Sequence, residues 1–391
     1  MLDRLAVYSK KFWTLSICYF FFMISFNMLV PELDEFLTDL GGKNYLGWIL
    51  GIFAFSSLIC RPLSGKLTDT IGRVPIIILG SGLNLIFSVF YLFVVNVPQF
   101  LWLRFGHGIS AGFQPTGLMA YLADIIPQKY RGEAMGLIGV FISSGIALGQ
   151  PLGSEIANNF GTDALFYTGI AFAIIAFFMV LFLKETLEER QKFQFKLLKI
   201  SRSDLFDFDV FYPFLLMFFI AFMYGDFLTI IPDYSSYLGI ENQGLFFSYF
   251  VFASIIVRFF FGAVSDRIGR IKSLKIGAIF TIIGMIGFLF VTEKILFFTV
   301  GTVLGIGAGI ISPTLIAFTV DLSKAQNRGK AMSTYFIGLE GGIAVGAFLT
   351  GYLYNNNLEN IQTPIYLAFA AACIGLLLLF SSSLFGIRQT D

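Results

Sequence analysis

The ionisable side chains that lie inside long apolar stretches of this sequence include Arg104, His107, Asp226 and Glu340. An ionisable group within lipid is costly, and it normally faces a cavity or a polar partner. A cation in such a place can hold an anionic group, while a carboxylate or an imidazole can take up and release a proton. These residues are therefore the first candidates for binding a solute or moving protons.

Arg104, His107 and Gln114 are spaced to share one helical face. At about 100° per residue, the second and third positions lie near 300° and 280° from the first. The face would combine a fixed cation, a titratable imidazole and an amide, which suits an anionic substrate group or proton-linked switching. The alternative is structural, with Arg104 bonded to a backbone carbonyl of a neighbouring helix and His107 acting as a packing residue.

Two carboxylates are candidates for proton coupling. Asp226 follows Gly225 and precedes Pro232, a pattern of helix irregularity that is tolerated where the backbone lines a cavity. Glu340 lies near mid-depth in the apolar segment YFIGLEGGIAVG. Either acid could load and release a proton, or could instead form a buried hydrogen bond to Ser, Thr or backbone.

Two amides, Asn27 and Gln150, are further candidates for substrate contact, although such residues also bond neighbouring helices. The sequence contains a single His and no GxxxxGK[ST] nucleotide-binding loop. Metal enzymes and acyl-transfer enzymes need clustered ligands or nucleophiles that this pattern does not provide. We therefore expect neither an enzyme nor a cofactor, with the proton as the coupling ion.

A second set of charged and small residues occurs twice in the chain. The shift is constant, since 258 − 61 = 197 and 321 − 124 = 197. The first copy contains Arg61, Gly65, Asp69, Gly72, Arg73, Asp124 and Arg131, and the second contains Arg258, Gly262, Asp266, Gly269, Arg270, Asp321 and Arg328. Two like-oriented copies of one unit are a common plan of membrane transporters.

These repeated residues predict a latch at one face of the membrane. An aspartate beside a helix N-terminus can accept backbone hydrogen bonds, and an arginine can pair with a carboxylate of a nearby loop. The alternative is that the charges only set the orientation in the membrane. The predicted gate comprises Gly65, Asp69, Gly72, Arg73, Asp124 and Arg131, together with Gly262, Asp266, Gly269 and Arg270.

Composition indicates that lipid is the outer solvent. Of the 391 residues, 57% are apolar and 13% charged, and the mean hydropathy is +0.81. A soluble domain is about 25% charged. Twelve segments are apolar over the length that crosses a bilayer as helix. The net charge of +1 argues against a nucleic-acid partner and leaves the bilayer and a small-molecule substrate as the expected partners.

The loops predict the domain organisation and the orientation. Residues 1–184 and 209–391 form two six-helix bundles, and the charged stretch 185–208 links them. All but three of the 26 basic residues fall in the termini, the linker and the loops of one side. The positive-inside rule therefore places both termini in the cytoplasm. We expect a monomeric, all-α, multi-pass membrane protein.

The repeated motif resembles the major facilitator superfamily over nearly the whole chain. The family's loop signature G-x-L-x-D-x-x-G-R is matched by Gly65, Leu67, Asp69, Gly72 and Arg73. The family's R-x-x-x-G-x-x-x-G element is matched by Arg104, Gly108 and Gly112. The resemblance implies two pseudo-symmetric six-helix bundles. It is greatest to bacterial 12-helix exporters of drugs or small metabolites, and it implies location in the bacterial inner membrane.

The resemblance also implies a function, with alternatives. The fifth segment partly matches an antiporter pattern through Gly136, Gly145, Gly149 and Gly153, with Gln150 where proline is usual. These small residues would equally allow close helix packing. The first expectation is proton-coupled export of a small amphipathic molecule. The alternatives are proton-coupled uptake of a small metabolite and a membrane sensor built on a transporter scaffold.

Overall fold

The computed structural model describes residues 8–45, 48–240, 244–354 and 361–380. These residues form twelve helices of at least 18 residues, and no strand occurs among them. The helices are α1 Lys10–Asn27, α2 Trp48–Thr70, α3 Arg73–Phe90, α4 Val97–Ile125, α5 Arg131–Phe160, α6 Thr162–Leu181, α7 Phe211–Tyr237, α8 Leu245–Ile268, α9 Arg270–Leu289, α10 Lys294–Leu322, α11 Arg328–Tyr354 and α12 Gln362–Phe380.

Ten of these helices are long and apolar enough to cross a membrane by composition alone. The other two, α2 and α4, have 23 and 29 residues, so their length is also that of a span. Helix α4 contains the polar residues Arg104, His107 and Gln114, and most of its residues are buried. Protein rather than lipid surrounds such a helix, so high hydropathy is not required of it. The predicted cytoplasmic termini lie outside the described residues.

The chain divides into two compact units. The first comprises Met1–Pro127, Phe141–Asp207 and Ser323–Thr334, and the second comprises Gln128–Val140, Phe208–Leu322 and Tyr335–Asp391. These units differ from the predicted halves, 1–184 and 209–391, at the starts of two helices, and the division at the linker stays a prediction. Helix α5 begins in the second unit and continues in the first, whereas α11 begins in the first unit and continues in the second.

The two units repeat one packing scheme. In the first unit α4 packs on α2 and α3, and α6 packs on α1 and α3. In the second unit α10 packs on α8 and α9, and α12 packs on α7 and α9. Each unit also has its own apolar core. The core of the second is rich in aromatic rings, with Phe246, Phe288 and Phe297 in mutual contact.

The end of the first span and the structure of the linker differ from the sequence expectation. The first span was predicted over residues 12–31, but α1 ends at Asn27 and a one-turn 3-10 helix, Val30–Glu32, follows with Pro31 in its first turn. The linker, which the sequence shows only as a charged stretch, contains regular structure. It contains short helices at Phe195–Leu198, Arg202–Leu205 and Phe208–Val210.

In the second unit, two helix backbones lie so close together that only glycine fits at their contact. A Cβ added to Gly309 of α10 would lie 2.8 Å from Ser254 O of α8. We expect Gly309→Ala to lower the thermal unfolding midpoint in detergent, because overpacking costs about 1–3 kcal/mol. The control is Gly351→Ala in α11, where a Cβ would meet nothing within 4 Å. Equal midpoints for the two variants would contradict this packing.

Candidate functional site

In the first unit, the carboxylate of Asp69 caps the start of α11. Its two oxygens accept hydrogen bonds from Gly329 N at 2.7 Å and from Lys330 N at 2.8 Å. The first N–H groups of a helix have no partner within that helix, and the N-terminus is the positive end of the helix dipole. Asp69 therefore satisfies two such donors and places a negative charge where the dipole favours it.

The second unit contains the same interaction. Asp266 accepts hydrogen bonds from Gly132 N at 2.8 Å and from Glu133 N at 2.9 Å, at the start of α5. The acceptors and the donors are related by the sequence repeat, since 266 − 69 = 197 and 329 − 132 = 197. The sequence repeat is therefore matched by a repeated interaction in the structure. We call these two interactions the carboxylate caps.

Arginine side chains surround the first cap. The guanidinium of Arg73, which is 1% exposed, contacts Asp69 at 2.6 Å and Asp124 at 3.1 Å. Arg328, the first residue of α11, pairs with the other oxygen of Asp124. Buried carboxylates are tolerated when cations and hydrogen-bond donors surround them. The network therefore neutralises the cap as well as holding the helix ends together.

The same network surrounds the second cap. Arg270 contacts Asp266 at 2.7 Å and Asp321 at 2.8 Å, and Arg131 contacts Asp321 at 2.8 Å. Each aspartate therefore has the partners that the repeat assigns to its counterpart in the first unit. The charged residues of the predicted gate thus form two clusters, one in each unit, and Arg131 belongs to the cluster of Asp266 and Arg270. Its opening and closing during transport stay a prediction.

The structure explains why glycine is needed at the four glycine positions of the predicted gate. A Cβ on Gly65 would lie 3.0 Å from Gly329 O, and one on Gly262 would lie 2.9 Å from Gly132 O. Larger residues would push the capped helix starts away from their aspartates. Gly72 and Gly269 adopt φ of 126° and 89°, in the region that favours glycine.

Sequence reasoning did not find Glu185, which anchors the start of the linker. Its oxygens accept hydrogen bonds from Arg73 N and Val74 N, both at 3.0 Å, at the start of α3. The next residue, Thr186, donates to Asp124 at 2.6 Å. The linker thus joins the network around the first cap. The repeat gave no signal for this, because the counterpart of Glu185 is Ser382.

The middle of the linker is fastened to α2. Lys66 Nζ lies 2.8 Å from Lys199 O and 2.8 Å from the carboxylate of Asp204. Asp204 also accepts from both Ser201 N and Ser201 Oγ, which forms a capping box at the short helix. Partial burial raises the pKa of Asp204, but the hydrogen bonds from Lys66 and Ser201 outweigh it, so the pKa lies below its usual 3.8.

The predicted polar face of α4 is enclosed by α2 and α3 inside the first unit. Arg104, 1% exposed, donates from Nε to Ile49 O at 3.0 Å and from Nη1 to Tyr91 OH at 3.3 Å. Its guanidinium carbon also lies 4.8 Å from the ring centre of Phe53. The carbonyl bond is the one expected of a structural arginine. Nη2 has no hydrogen-bond partner among the described residues.

His107 and Gln114 take part in the same enclosed polar cluster. His107 Nε2 lies 2.7 Å from Asn84 Oδ1, and Gln114 Nε2 lies 3.4 Å from Ser81 Oγ. Both residues are fully buried. Within the described part of the chain, His107 Nδ1 and Gln114 Oε1 have no hydrogen-bond partner. Their predicted role in substrate binding or proton coupling stays a prediction.

The remaining candidates lie apart from that cluster. In the second unit, Asp226 on α7 is fully buried and accepts a hydrogen bond from Thr350 on α11. Glu340, also on α11, is half-buried. In the first unit, Asn27 donates to Met23 O of its own helix at 2.9 Å, and Gln150 on α5 is exposed.

The two caps allow reciprocal tests by hydrogen exchange. We expect Asp69→Asn to speed amide exchange at Gly329 and Lys330 by roughly tenfold to a hundredfold, because a hydrogen bond to a charged group contributes about 1.5–3 kcal/mol. Exchange at Gly132 and Glu133 should not change. The matched variant Asp266→Asn should produce the opposite pattern. Unchanged exchange in both variants would show that the carboxylates do not stabilise the helix starts.

The fastening of the linker can be tested by proteolysis. We expect Lys66→Gln to speed tryptic cleavage after Arg202 by severalfold, because it weakens the bonds to Lys199 and Asp204. Since the pKa of Asp204 is lowered, its stabilising contribution is present above pH 3.8 and is lost as pH falls through the lowered pKa. Cleavage near neutral pH therefore tests the intact ion pair. Lys10→Gln serves as the control, and the same cleavage rate in both variants would contradict the fastening.

Comparisons with known proteins agree with this architecture. The chain is 24% identical to the quinolone resistance protein NorA of Staphylococcus aureus, over 95% of this chain and 96% of that protein. It is 34% identical to multidrug resistance protein 2 of Bacillus subtilis over 177 residues, which cover 44% of this chain and 43% of that protein.

The fold is also that of solved transporters. The structure of the proton:xylose symporter XylE matches with a TM-score of 0.80 at 14% identity, covering 97% of this chain and 96% of that chain. A sequence model of the Major Facilitator Superfamily matches residues 15–294 and 240–388. The predicted all-α fold of twelve helices in two related halves is confirmed. The chain belongs to the Major Facilitator Superfamily.

Proposed function

We propose that this protein exports small amphipathic molecules in exchange for protons. Membership of the family makes the chain a multi-pass membrane transporter and not an enzyme. The proposal goes beyond family membership in two parts, namely coupling to protons and the outward direction of transport. Asp226 supports the first part, and the names of the relatives support the second.

The observation that carries the proposal is the environment of Asp226. The side chain is fully buried in α7, where it accepts a hydrogen bond from Thr350, and its second oxygen has no hydrogen-bond partner among the described residues. Intramembrane carboxylates are costly and are characteristic of proton and ion pathways. The aspartates of the caps, by contrast, contact arginines. Asp226 is therefore the carboxylate best suited to bind and release a proton during the cycle.

Glu340 is the second proposed proton carrier. It lies on α11, the helix that also supplies Thr350 to Asp226, and it is half-buried. A partly accessible acid on the same helix could exchange protons with water while Asp226 is enclosed. Arg104, His107, Gln114, Asn27 and Gln150 complete the proposed set of substrate or coupling residues.

Export is supported by the relatives. NorA is named for quinolone resistance and the Bacillus protein for multidrug resistance. A membrane transporter gives resistance when it moves a toxic compound out of the cell. NorA matches along nearly the whole of both chains. We therefore propose small amphipathic compounds as the cargo. By the same relatives and the distribution of basic residues, we propose the bacterial plasma membrane as the location, with both termini cytoplasmic.

Proton-coupled uptake is the second candidate. The fold matches XylE, a proton:xylose symporter, with a TM-score of 0.80. Symport and antiport use the same fold and differ in the direction of the proton relative to the cargo. The direction is therefore a quantity to be measured.

We further propose that the carboxylate caps act as the gate of this cycle. Each cap bonds backbone amides at the start of a helix that begins in one unit and continues in the other. Release of a cap would free the first turn of α11 or α5 to move. Alternating access would then require the two caps to be released at different stages.

Proton coupling can be measured in proteoliposomes that contain an internal pH dye. Under an imposed pH gradient, hydrophobic cations, organic anions and sugars are added one at a time. We expect one compound class to drive proton movement through the wild-type protein. Asp226→Asn should reduce this movement at least tenfold, because an amide cannot bind and release the proton.

Two further variants test whether the loss of proton movement is specific to the carboxylate of Asp226. Thr350→Val keeps the carboxylate of Asp226 but removes its hydrogen bond, so it should retain transport and shift the pH dependence of transport. Asp163→Asn removes a carboxylate at an exposed position and should behave as wild type. Proton flow against the direction of the compound indicates antiport, and flow with it indicates symport. Wild-type coupling in Asp226→Asn would remove Asp226 from the mechanism.

A further inference from the structure

The second unit contains an apolar hollow between α7, α9, α10 and α12. Its lining includes Leu216, Ala278, Thr281, Ile311 and Gly375. The enclosed part offers about 20 Å³ of free space, enough for little more than a water molecule, and the hollow reaches 380 Å³ when the open space at its mouth is included. It is therefore a narrow slot with a wide opening.

The first unit has polar side chains at three of the corresponding positions. The lining residues Ala278, Thr281 and Ile311 are replaced there at the shift of 197. Their counterparts are Ser81, Asn84 and Gln114. These are the residues that bond to one another or to His107 in the first unit. The second copy is therefore apolar or less polar at three positions where the first copy has a hydrogen-bonded polar side chain.

Basic residues lie beside the hollow. Lys275 follows the lining residue Leu274, and its ammonium lies 4.7 Å from the ring centre of Phe380, which follows the lining residue Leu379. Arg267 and Lys272 are exposed near the same end of α9. No carboxylate of the described residues forms an ion pair with these three cations.

These three cations are also specific to the second copy. At the shift of 197, the counterparts of Arg267, Lys272 and Lys275 are Thr70, Pro75 and Ile78. The apolar lining and these three cations therefore occur together in the second repeat, at positions where the first repeat has other residues. Their position fits the membrane boundary, because α7 and α9 begin there and α12 ends there.

We propose that this hollow binds an anionic phospholipid. One acyl chain occupies the slot between α7, α9 and α12, and the phosphate contacts Lys275 and Lys272. The enclosed part admits little more than one small group, so the chain lies mainly along the open part of the hollow. Basic pockets between membrane helices favour anionic headgroups, and a lysine near an aromatic ring can offer its remaining donors to phosphate. The proposal does not depend on the cargo or on the direction of transport.

The test uses the full-length protein in phosphatidylcholine vesicles. Each preparation contains a small fraction of phosphatidylglycerol or phosphatidylcholine that carries a photoreactive group in one acyl chain. After irradiation, we expect phosphatidylglycerol to label peptides that contain Leu274–Thr281 or Ala372–Leu379 more strongly than phosphatidylcholine does. Lys272→Gln with Lys275→Gln should reduce labelling by phosphatidylglycerol by roughly fivefold per lysine. Labelling by phosphatidylcholine should not change.

Two controls complete the experiment. Lys10→Gln with Lys11→Gln removes the same charge at another helix end and should leave the labelling unchanged. Ala278→Phe should fill the slot and abolish labelling there, with Gly375→Leu as a second filling variant, each first checked for a single peak in size-exclusion chromatography. Equal labelling by the two lipids, or no effect of the lysine pair, would overturn the proposal. Displacement of the lipid by a transported compound would overturn it too, because the hollow would then be a cargo site.

Discussion

The structure depends on one interaction that the chain makes twice, a carboxylate bonded to the free amides at the start of a helix. Asp69 holds Gly329 and Lys330, and Asp266 holds Gly132 and Glu133. In a low-dielectric environment, unpaired amides and unpaired carboxylates are each costly. Their combination removes both costs at one contact. The arginines beside each aspartate neutralise the remaining charge.

Differences between the two copies point to function more directly than their similarities. The first copy alone has Glu185 and the docked linker, and its bundle interior is filled by polar residues around His107. The second copy has the buried carboxyl of Asp226, whose counterpart at the shift of 197 is Leu29, and the apolar hollow beside Lys275. The repeat therefore supplies a common frame, and the proposed proton and lipid sites occur where the second copy departs from it.

The sequence was a good guide wherever a pattern was periodic or repeated. Apolar length predicted the helices, and the shift of 197 predicted that the partners of Asp69 and Asp266 would correspond. Helical spacing placed Arg104, His107 and Gln114 on one face, but it did not show that this face is enclosed by α2 and α3. Glu185 and Thr350 were not found at all. Both bond to residues more than 100 positions away, and neither contact has a counterpart in the other copy.

The central claim is that the carboxylate caps are released in turn as the protein transports. The most direct test is hydrogen exchange at Gly132, Glu133, Gly329 and Lys330 in wild-type proteoliposomes, with and without an imposed proton gradient. This account predicts that the gradient speeds exchange at one pair of amides while the other pair stays protected, and that reversing the gradient exchanges their roles. Exchange at all four amides that is independent of the gradient, in vesicles shown to transport, would contradict it.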